Sequence, residues 1–523
     1  MGKLLNGKTR SFAFVAVQLA VVTVAAKVIG FLREATIGYF FGATITSDIY
    51  YLANSFVANV LFALTSAASV VLIPMYIKKK HQGGEKAFLG SICIVLTVVS
   101  LLMVFVLEAL SPWLSHLLAP SADDGYLQIL TVFIRVLMLG FPLSLIANIF
   151  VSILNAESRF GFAAVTGLIY STFGITFVIL FHDSMGLFAM VISTVLAYFV
   201  QCLVLIPKTK QYIGFPGKLS EGRKDVRKIL LLSLPVLLSN GFVALCGLVG
   251  RVLASTLAVG SVSALAYSKT IFDLVYQVVC NSVITVLFTK ISLAAVDGDD
   301  QKVGSYVSKG ISLLVLVALP LAVWTMLCST EIVTVAFQRG AFNAEATEIT
   351  SLATALFAPS FLLSGVYMLL NKVFYANEAY YLSTAIYVIA MICNLAGAIA
   401  GVSYLGLAGI ILAGLLSDTI LCVLLLAIAL RKGYLGVFRI DGKNLVQVAV
   451  SSAVSALILL FVKTYLHLDM PTILILLLYV VVFGGFYLLF LVLFGNSQSR
   501  TVLSEVIKRI GKLKSRMKKQ RLG

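Results

Sequence analysis

Nine ionisable side chains stand inside stretches of sequence that are otherwise apolar. Lys27, Arg33, Arg135, Arg251 and Lys269 carry positive charge; Glu34, Asp48, Asp273 and Asp418 carry negative charge. A Lys, Arg or Asp at the centre of a bilayer costs about 2.5–3.5 kcal/mol on insertion scales. Five cations facing lipid would together cost on the order of 12–17 kcal/mol. Chains tolerate such groups when they face a watery cavity, a partner or a ligand. In a low-dielectric hollow, Arg and Lys make strong charge-assisted bonds to phosphate. The five cations are therefore candidate ligand-binding residues for an anion, and the four carboxylates candidate gates or charge partners.

Each assignment has a plainer alternative. Arg33 and Arg251 lie near the ends of their apolar runs and are able to snorkel to the interface. Lys269 and Asp273 are four residues apart and suit a local pair. Arg135, about nine residues into its run, is harder to place outside a cavity. On an ideal helix Lys27, Gly30 and Glu34 fall within about 60° of one another, with Arg33 about 120° from Lys27. A bend at Gly30 would turn both cations inward.

Enzymatic chemistry finds no support. There is no Walker A loop, no HExxH and no Ser/His/Asp set, and the four histidines are scattered near the ends of apolar runs. The seven cysteines lie within apolar runs without CxxC spacing and read as packing thiols. No cofactor or metal is expected, and the coupling ion is left open.

The elements that position these charges are membrane helices. The chain has 60% hydrophobic and 12% charged residues and a mean hydropathy of +1.04, whereas soluble domains carry about 25% charged residues. Apolar runs of about 20 residues predict an all-α polytopic membrane protein with about fourteen spans. The first run lacks a small-residue cleavage site and reads as an uncleaved helix. Most Lys and Arg fall in alternate connections and in the tail, so both termini are expected in the cytoplasm. The net charge of +17 thus reads as topology rather than as a nucleic-acid surface.

The chain repeats itself. Arg33 precedes Gly42 by nine residues, and Arg251 precedes Gly260 by nine. The segment Tyr50–Pro74 matches Ala266–Lys290, Asn155-Ala-Glu157 matches Ala376-Asn-Glu378, and Cys202 matches Cys422. The expected organisation is an N-terminal six-span lobe (1–206), a basic linker (207–227), a second six-span lobe (228–430), a helix pair (431–495) and a basic amphipathic tail (496–523). A parallel repeat of this kind places its axis along the membrane normal. The tail suits a helix lying on an anionic leaflet, and a monomer is expected.

Three stretches resemble the MurJ/MviN family of lipid II flippases, within the multidrug/oligosaccharidyl-lipid/polysaccharide exporter superfamily. They are Lys27-Val-Ile-Gly-Phe-Leu-Arg33-Glu34, Phe41-Gly-Ala-Thr-Ile-Thr-Ser-Asp48 and Phe337-Gln-Arg-Gly-Ala-Phe342. The resemblance implies a bacterial inner-membrane protein moving lipid-linked peptidoglycan precursor outward by alternating access, with cations engaging the pyrophosphate. It matches Lys27 and Arg33 to the first-helix cations and Asp48 to the acid opening the second helix. The sequence departs from the family where the second helix normally supplies an Arg, since Val57-Ala58-Asn59-Val60-Leu61-Phe62 holds no cation. Lys269-Thr270 replaces an Asp-Arg pair in the eighth helix. Some members bind sodium in the second lobe; Asn394 matches one ligand, but Ala398 stands where a carboxylate is expected. A flippase for another lipid-linked glycan, such as a capsule or teichoic-type precursor, is the alternative reading, and a cation-coupled small-molecule exporter a third.

Overall fold

The computed structural model describes residues 2–157, 159–214, 247–466 and 469–496, together with 241, 244 and 245. The tail, most of the linker and the larger part of the seventh expected span lie outside the described residues. What is described is helix joined by short turns, with no strand among the described residues. In chain order the helices are α1 (Gly2–Phe41), α2 (Ile45–His81), α3 (Glu85–Leu118), α4 (Asp124–Leu139), α5 (Phe141–Ala156), α6 (Phe160–Met185) and α7 (Phe188–Thr209). Helical residues 247–254 form α8. There follow α9 (Ser261–Val296), α10 (Asp300–Leu327), α11 (Ser329–Phe337), α12 (Ala344–Phe357), α13 (Ser360–Ala376), α14 (Tyr380–Leu405), α15 (Leu407–Arg431), α16 (Gly442–Tyr465) and α17 (Thr472–Leu493).

Among the described residues, eleven helical segments are long and apolar enough to cross a membrane, counting α4–α5 and α12–α13 as one segment each. Helices dominate because a bilayer offers no water to backbone N–H and C=O groups, which must be satisfied within the segment. The protein is therefore a multi-pass, all-α membrane protein. α1, 40 residues long, runs unbroken through Gly30.

The repeat is visible in the helix pattern. α6 and α14 both have 26 residues. The segments Asp124–Ala156 and Ala344–Ala376 both have 33 and are both interrupted once. The first breaks at Gly140, with Pro142 in the opening turn of α5; the second breaks at Ala358-Pro359. Proline lacks an N–H and is tolerated in a helix's first turn, so the same residue type starts a fresh helix in each half.

At two internal prolines, Pro112 of α3 and Pro320 of α10, a side chain serves the carbonyl that proline leaves without a donor. The sequence predicts a span ending near residue 109, but α3 continues through Pro112 to Leu118. The Ser111 hydroxyl donates to the Glu108 carbonyl at 2.7 Å, four residues before the proline. In α10 the Leu316 carbonyl precedes Pro320 by four residues and accepts from the Tyr487 hydroxyl of α17 at 2.7 Å. That bond ties the last described helix to α10.

The chain divides into two compact units. The first comprises Met1–Leu274, Phe337–Thr350 and Met391–Ala413; the second comprises Val275–Ala336, Ser351–Ala390 and Gly414–Gly523. In the first, an apolar core forms where α2, α3, α5 and α7 meet, around Tyr76, Leu89, Phe150, Leu154 and Leu205. At the edge of that core the Glu157 carboxylate accepts from Lys80 Nζ at 2.5 Å and from the Tyr76 hydroxyl at 2.7 Å. In the second unit, Val448, Tyr487 and Leu491 pack on Leu316. There Lys463 Nζ also donates to the last carbonyl of α10, Leu327, at 2.9 Å, and pairs with Glu331 at 2.8 Å.

Candidate functional site

The first unit gathers charge around one junction, where α1 ends, α2 begins and α9 begins. α1 stops at Gly42, whose φ of +63° suits glycine. α2 then starts with a reciprocal cap: the Ser47 hydroxyl accepts from the Thr44 backbone N–H at 2.9 Å. One residue on, Asp48 points away from its own helix. Its carboxylate accepts from the backbone N–H groups of Gly260 and Ser263, both at 2.7 Å, and from the Ser263 hydroxyl. Asp48 thus caps the N-terminus of α9, where unsatisfied N–H groups and the helix dipole favour an anion. Gly260 has a φ of +91°, and a Cβ there would come within 2.9 Å of the Ala43 carbonyl. Gly42 and Gly260, equivalent in the repeat, therefore meet at the same junction.

The stretch Phe337–Phe342 completes it. The Ala341 N–H donates to the Tyr39 carbonyl of α1 at 2.8 Å. Phe337 and Phe342 pack on Tyr267 of α9, with ring centroids 4.9 and 5.3 Å away. A Cβ on Gly38 would touch all three rings, and one on Gly340 (φ +58°) would overlap the Tyr39 carbonyl. The motif therefore works as a backbone clamp on the end of α1.

Below this junction the predicted site residues separate into groups. Arg33 is largely enclosed, its side chain 16% exposed; it is paired with Glu34 at 2.5 Å and lies over the Tyr170 ring at 4.9 Å. Glu34 also accepts from the Tyr51 hydroxyl at 2.7 Å. Arg251 is half-buried at the end of α8, within electrostatic reach of Glu34, Tyr51 and Asp273. Its side chain makes no hydrogen bond or ion pair with any described residue. Lys269 pairs with Asp273 one turn along α9 and lies over Phe272 at 4.5 Å. Both members of that pair are almost half exposed, at 45% and 49%. Lys27 is exposed on α1, also without a partner among the described residues.

Arg135 belongs elsewhere in the unit. Its Nε donates to Ser111 Oγ at 2.8 Å and lies 3.6 Å from Glu108, both on α3. In the second unit, Asp418 accepts from the Ser364 hydroxyl at 3.1 Å. Asn394 is half-buried on α14, and no group of three His, Cys, Asp or Glu suited to a metal occurs among the described residues.

Several partners of the predicted charges escaped the sequence reading. Tyr51 and Tyr267 are neutral, and nothing in their spacing marks them as partners of Glu34 and of the Gly42 carbonyl. Ser263 looks like any small helix residue until Asp48 is placed against it. Glu108 fell beside the expected end of a span, because Pro112 reads as a terminator.

A carboxylate fastens the starts of α2 and α9, and in the same unit a half-buried arginine within electrostatic reach of Glu34, Tyr51 and Asp273 keeps its donors free of described partners, which suits it to binding an anion. The profile described as "Lipid II flippase MurJ" matches residues 37–481. A protein of Borreliella burgdorferi named "Probable lipid II flippase MurJ" is 25% identical, over 79% of this chain and 82% of its own length. One of Rhizobium tropici with the same name is 26% identical, over 84% and 85%. Among solved structures, "Lipid II flippase MurJ, inward closed conformation" superposes with a TM-score of 0.79 at 18% identity, covering 91% of this chain and 98% of that one. An inward-facing MATE-family multidrug transporter of the MOP superfamily reaches 0.61 at 14% identity, covering 80% and 94%. The residue range of the profile match takes in most of the chain, and the chain belongs to the lipid II flippase MurJ family.

Proposed function

We propose that this protein is a transporter, not an enzyme: a flippase that carries lipid II, an undecaprenyl-pyrophosphate-linked peptidoglycan precursor, from the inner to the outer leaflet of the bacterial inner membrane. The observation that carries the reading is Arg251, half-buried and unpaired among the described residues, on a chain that belongs to this family. Its planar fork suits a pyrophosphate. Lys27 and the half-exposed Lys269 add donors on α1 and α9, while Arg33 acts through Glu34 by holding that carboxylate in place. The distribution of Lys and Arg supports cytoplasmic termini, so the α1–α2 junction lies at the outer end of its helices.

On this reading the Asp48 bonds to Gly260 and Ser263 are an outer latch. While they hold, the outer ends of α1, α2 and α9 stay together, and cargo enters from the cytoplasmic side. Release toward the outside requires the carboxylate to leave α9. Two six-helix lobes, the trailing pair α16–α17 offering a surface to the lipid tail, and a basic tail on the anionic inner leaflet complete the scheme. The protein acts as a monomer.

The test is complementation. Cells depleted of their own lipid II flippase grow when this chain is expressed. Failure of rescue, together with restored surface polysaccharide in a strain lacking a capsule-precursor flippase, points to the other lipid-linked glycan.

A further inference from the structure

We infer that the groove between α3 and α4 binds a phospholipid whose headgroup joins a phosphodiester to a primary amine. The groove encloses about 450 Å³, and its polar lining is Ser115 and His116 from α3 with Asp124, Gln128, Thr131 and Arg135 from α4. On α4 these four recur at helical spacing and form one polar stripe facing Ser111, Ser115 and His116. A stripe of this length in a membrane helix is costly unless something polar fills the groove.

The stripe has unused capacity. Thr131 Oγ1 lies 2.7 Å from the Leu127 carbonyl and 2.8 Å from Ser115 Oγ, so its single O–H is engaged. Arg135 uses Nε on Ser111, but neither Nη has a partner among the described residues, and neither do the His116 ring or the Gln128 amide. These are donors for a phosphodiester. The flanks are apolar and exposed: Val132 borders the groove at 39%, with Trp113 and Leu117 on α3 at 61% and 55%. An occupant must therefore have a polar head and chains that remain in the bilayer.

Charge and order select the head. In the lining Asp124 balances Arg135, which also lies 3.6 Å from Glu108 outside it, so the walls carry no net positive charge and a purely anionic head would meet a carboxylate. Asp124 lies in the first turn of α4 and Arg135 three turns deeper, roughly 16 Å along the axis. Helical side chains lean toward the N-terminus, which brings the guanidinium back toward Asp124. With α4 starting at the outer surface, the carboxylate sits outermost and the cation below it. An aminoalkyl phospholipid in the outer leaflet presents its groups in the same order, amine above phosphate above chains.

The inference takes only the membrane orientation from the function proposed above. The full-length protein, delipidated in detergent, is offered phosphatidylethanolamine, phosphatidylglycerol and phosphatidylcholine separately, and retention is read by native mass spectrometry. Phosphatidylethanolamine is expected to be retained roughly tenfold better than either of the others, and Arg135→Gln to remove most of that retention. Asp124→Asn should erase its advantage over phosphatidylglycerol, and exposed Gln128→Ala gives a milder loss should Arg135→Gln fail to fold. Leu101→Ala, lipid-facing but outside the groove, should change nothing. Equal retention of the three lipids, a preference for phosphatidylglycerol, or wild-type retention in folded Arg135→Gln and Asp124→Asn would overturn the inference. No cargo is present, so a wrong assignment of cargo leaves this readout unmoved.

Discussion

The rings of Tyr51 and Tyr267 meet edge to face with centroids 5.3 Å apart, and their hydroxyls both reach the last turns of α1, one at Glu34 and one at Gly42. Tyr51 donates to Glu34 at 2.7 Å, Tyr267 to the Gly42 carbonyl at 2.9 Å. The two residues come from matching positions of the repeat, so the halves contribute the same ring and divide its hydrogen-bonding task. A bond to a charged acceptor contributes about 1.5–3 kcal/mol, one to a neutral acceptor about 0.5–1.5. Tyr51→Phe should therefore lower the thermal unfolding midpoint in detergent more than Tyr267→Phe. Equal shifts would show that ring packing alone accounts for the pair.

Asp48 makes a second prediction. Asp48→Asn keeps the shape but removes the charge, and only one amide oxygen remains to accept bonds that two carboxylate oxygens accept now. Loss of a helix cap costs about 0.5–2 kcal/mol. Hydrogen exchange at the first turn of α9 should accelerate roughly 2- to 30-fold, the rate equivalent of that cost. Unchanged protection there would contradict the latch.

How much of this was legible beforehand depends on direction. The depth of a charge along an apolar run follows from counting residues, so the list of charged positions, the helical fold and the repeat could all be read. The direction each charge faces depends on which helix lies beside it. Arg33 turns to Tyr170 of α6, and Arg135 to Ser111 of α3, because those helices pack there. Counting along one helix cannot supply a neighbour's identity. The continuation of α3 past Pro112 was hidden for a related reason: a single hydroxyl, Ser111, replaces the missing donor.

The Leu316 carbonyl offers a third test. Tyr487→Phe leaves this carbonyl, already without a helical donor because of Pro320, unsatisfied in an apolar setting. The cost is about 1–3 kcal/mol, and the thermal midpoint should fall. The further change Pro320→Ala should restore most of the loss by returning an N–H to the carbonyl. Absence of that rescue would show that Tyr487 acts through packing alone.

Glu157 gives a pH dependence. Burial acts to raise its pKa, but the hydrogen bonds from Lys80 and Tyr76 and the charges of Lys80 and Arg159 hold it below the ordinary carboxylate value. A lowered folded value means that the stabilisation is complete above the unfolded value, about 4.3, and disappears as pH falls through the folded one. Lys80 is half exposed, so the ion pair itself is worth about 0.2–1 kcal/mol. Wild type should melt above Glu157→Gln at pH 7, and the gap should close as pH drops below about 4. A gap independent of pH would show that the carboxylate's charge contributes nothing.

The central claim is that Arg251 holds the pyrophosphate of the cargo. The direct measurement is the rate of lipid II translocation in vesicles reconstituted with wild type or Arg251→Gln, each checked for an unchanged unfolding midpoint. Losing a charge-assisted bond of about 1.5–3 kcal/mol predicts a fall of roughly 10- to 150-fold in translocation at limiting cargo. Translocation by Arg251→Gln at the wild-type rate would contradict the account.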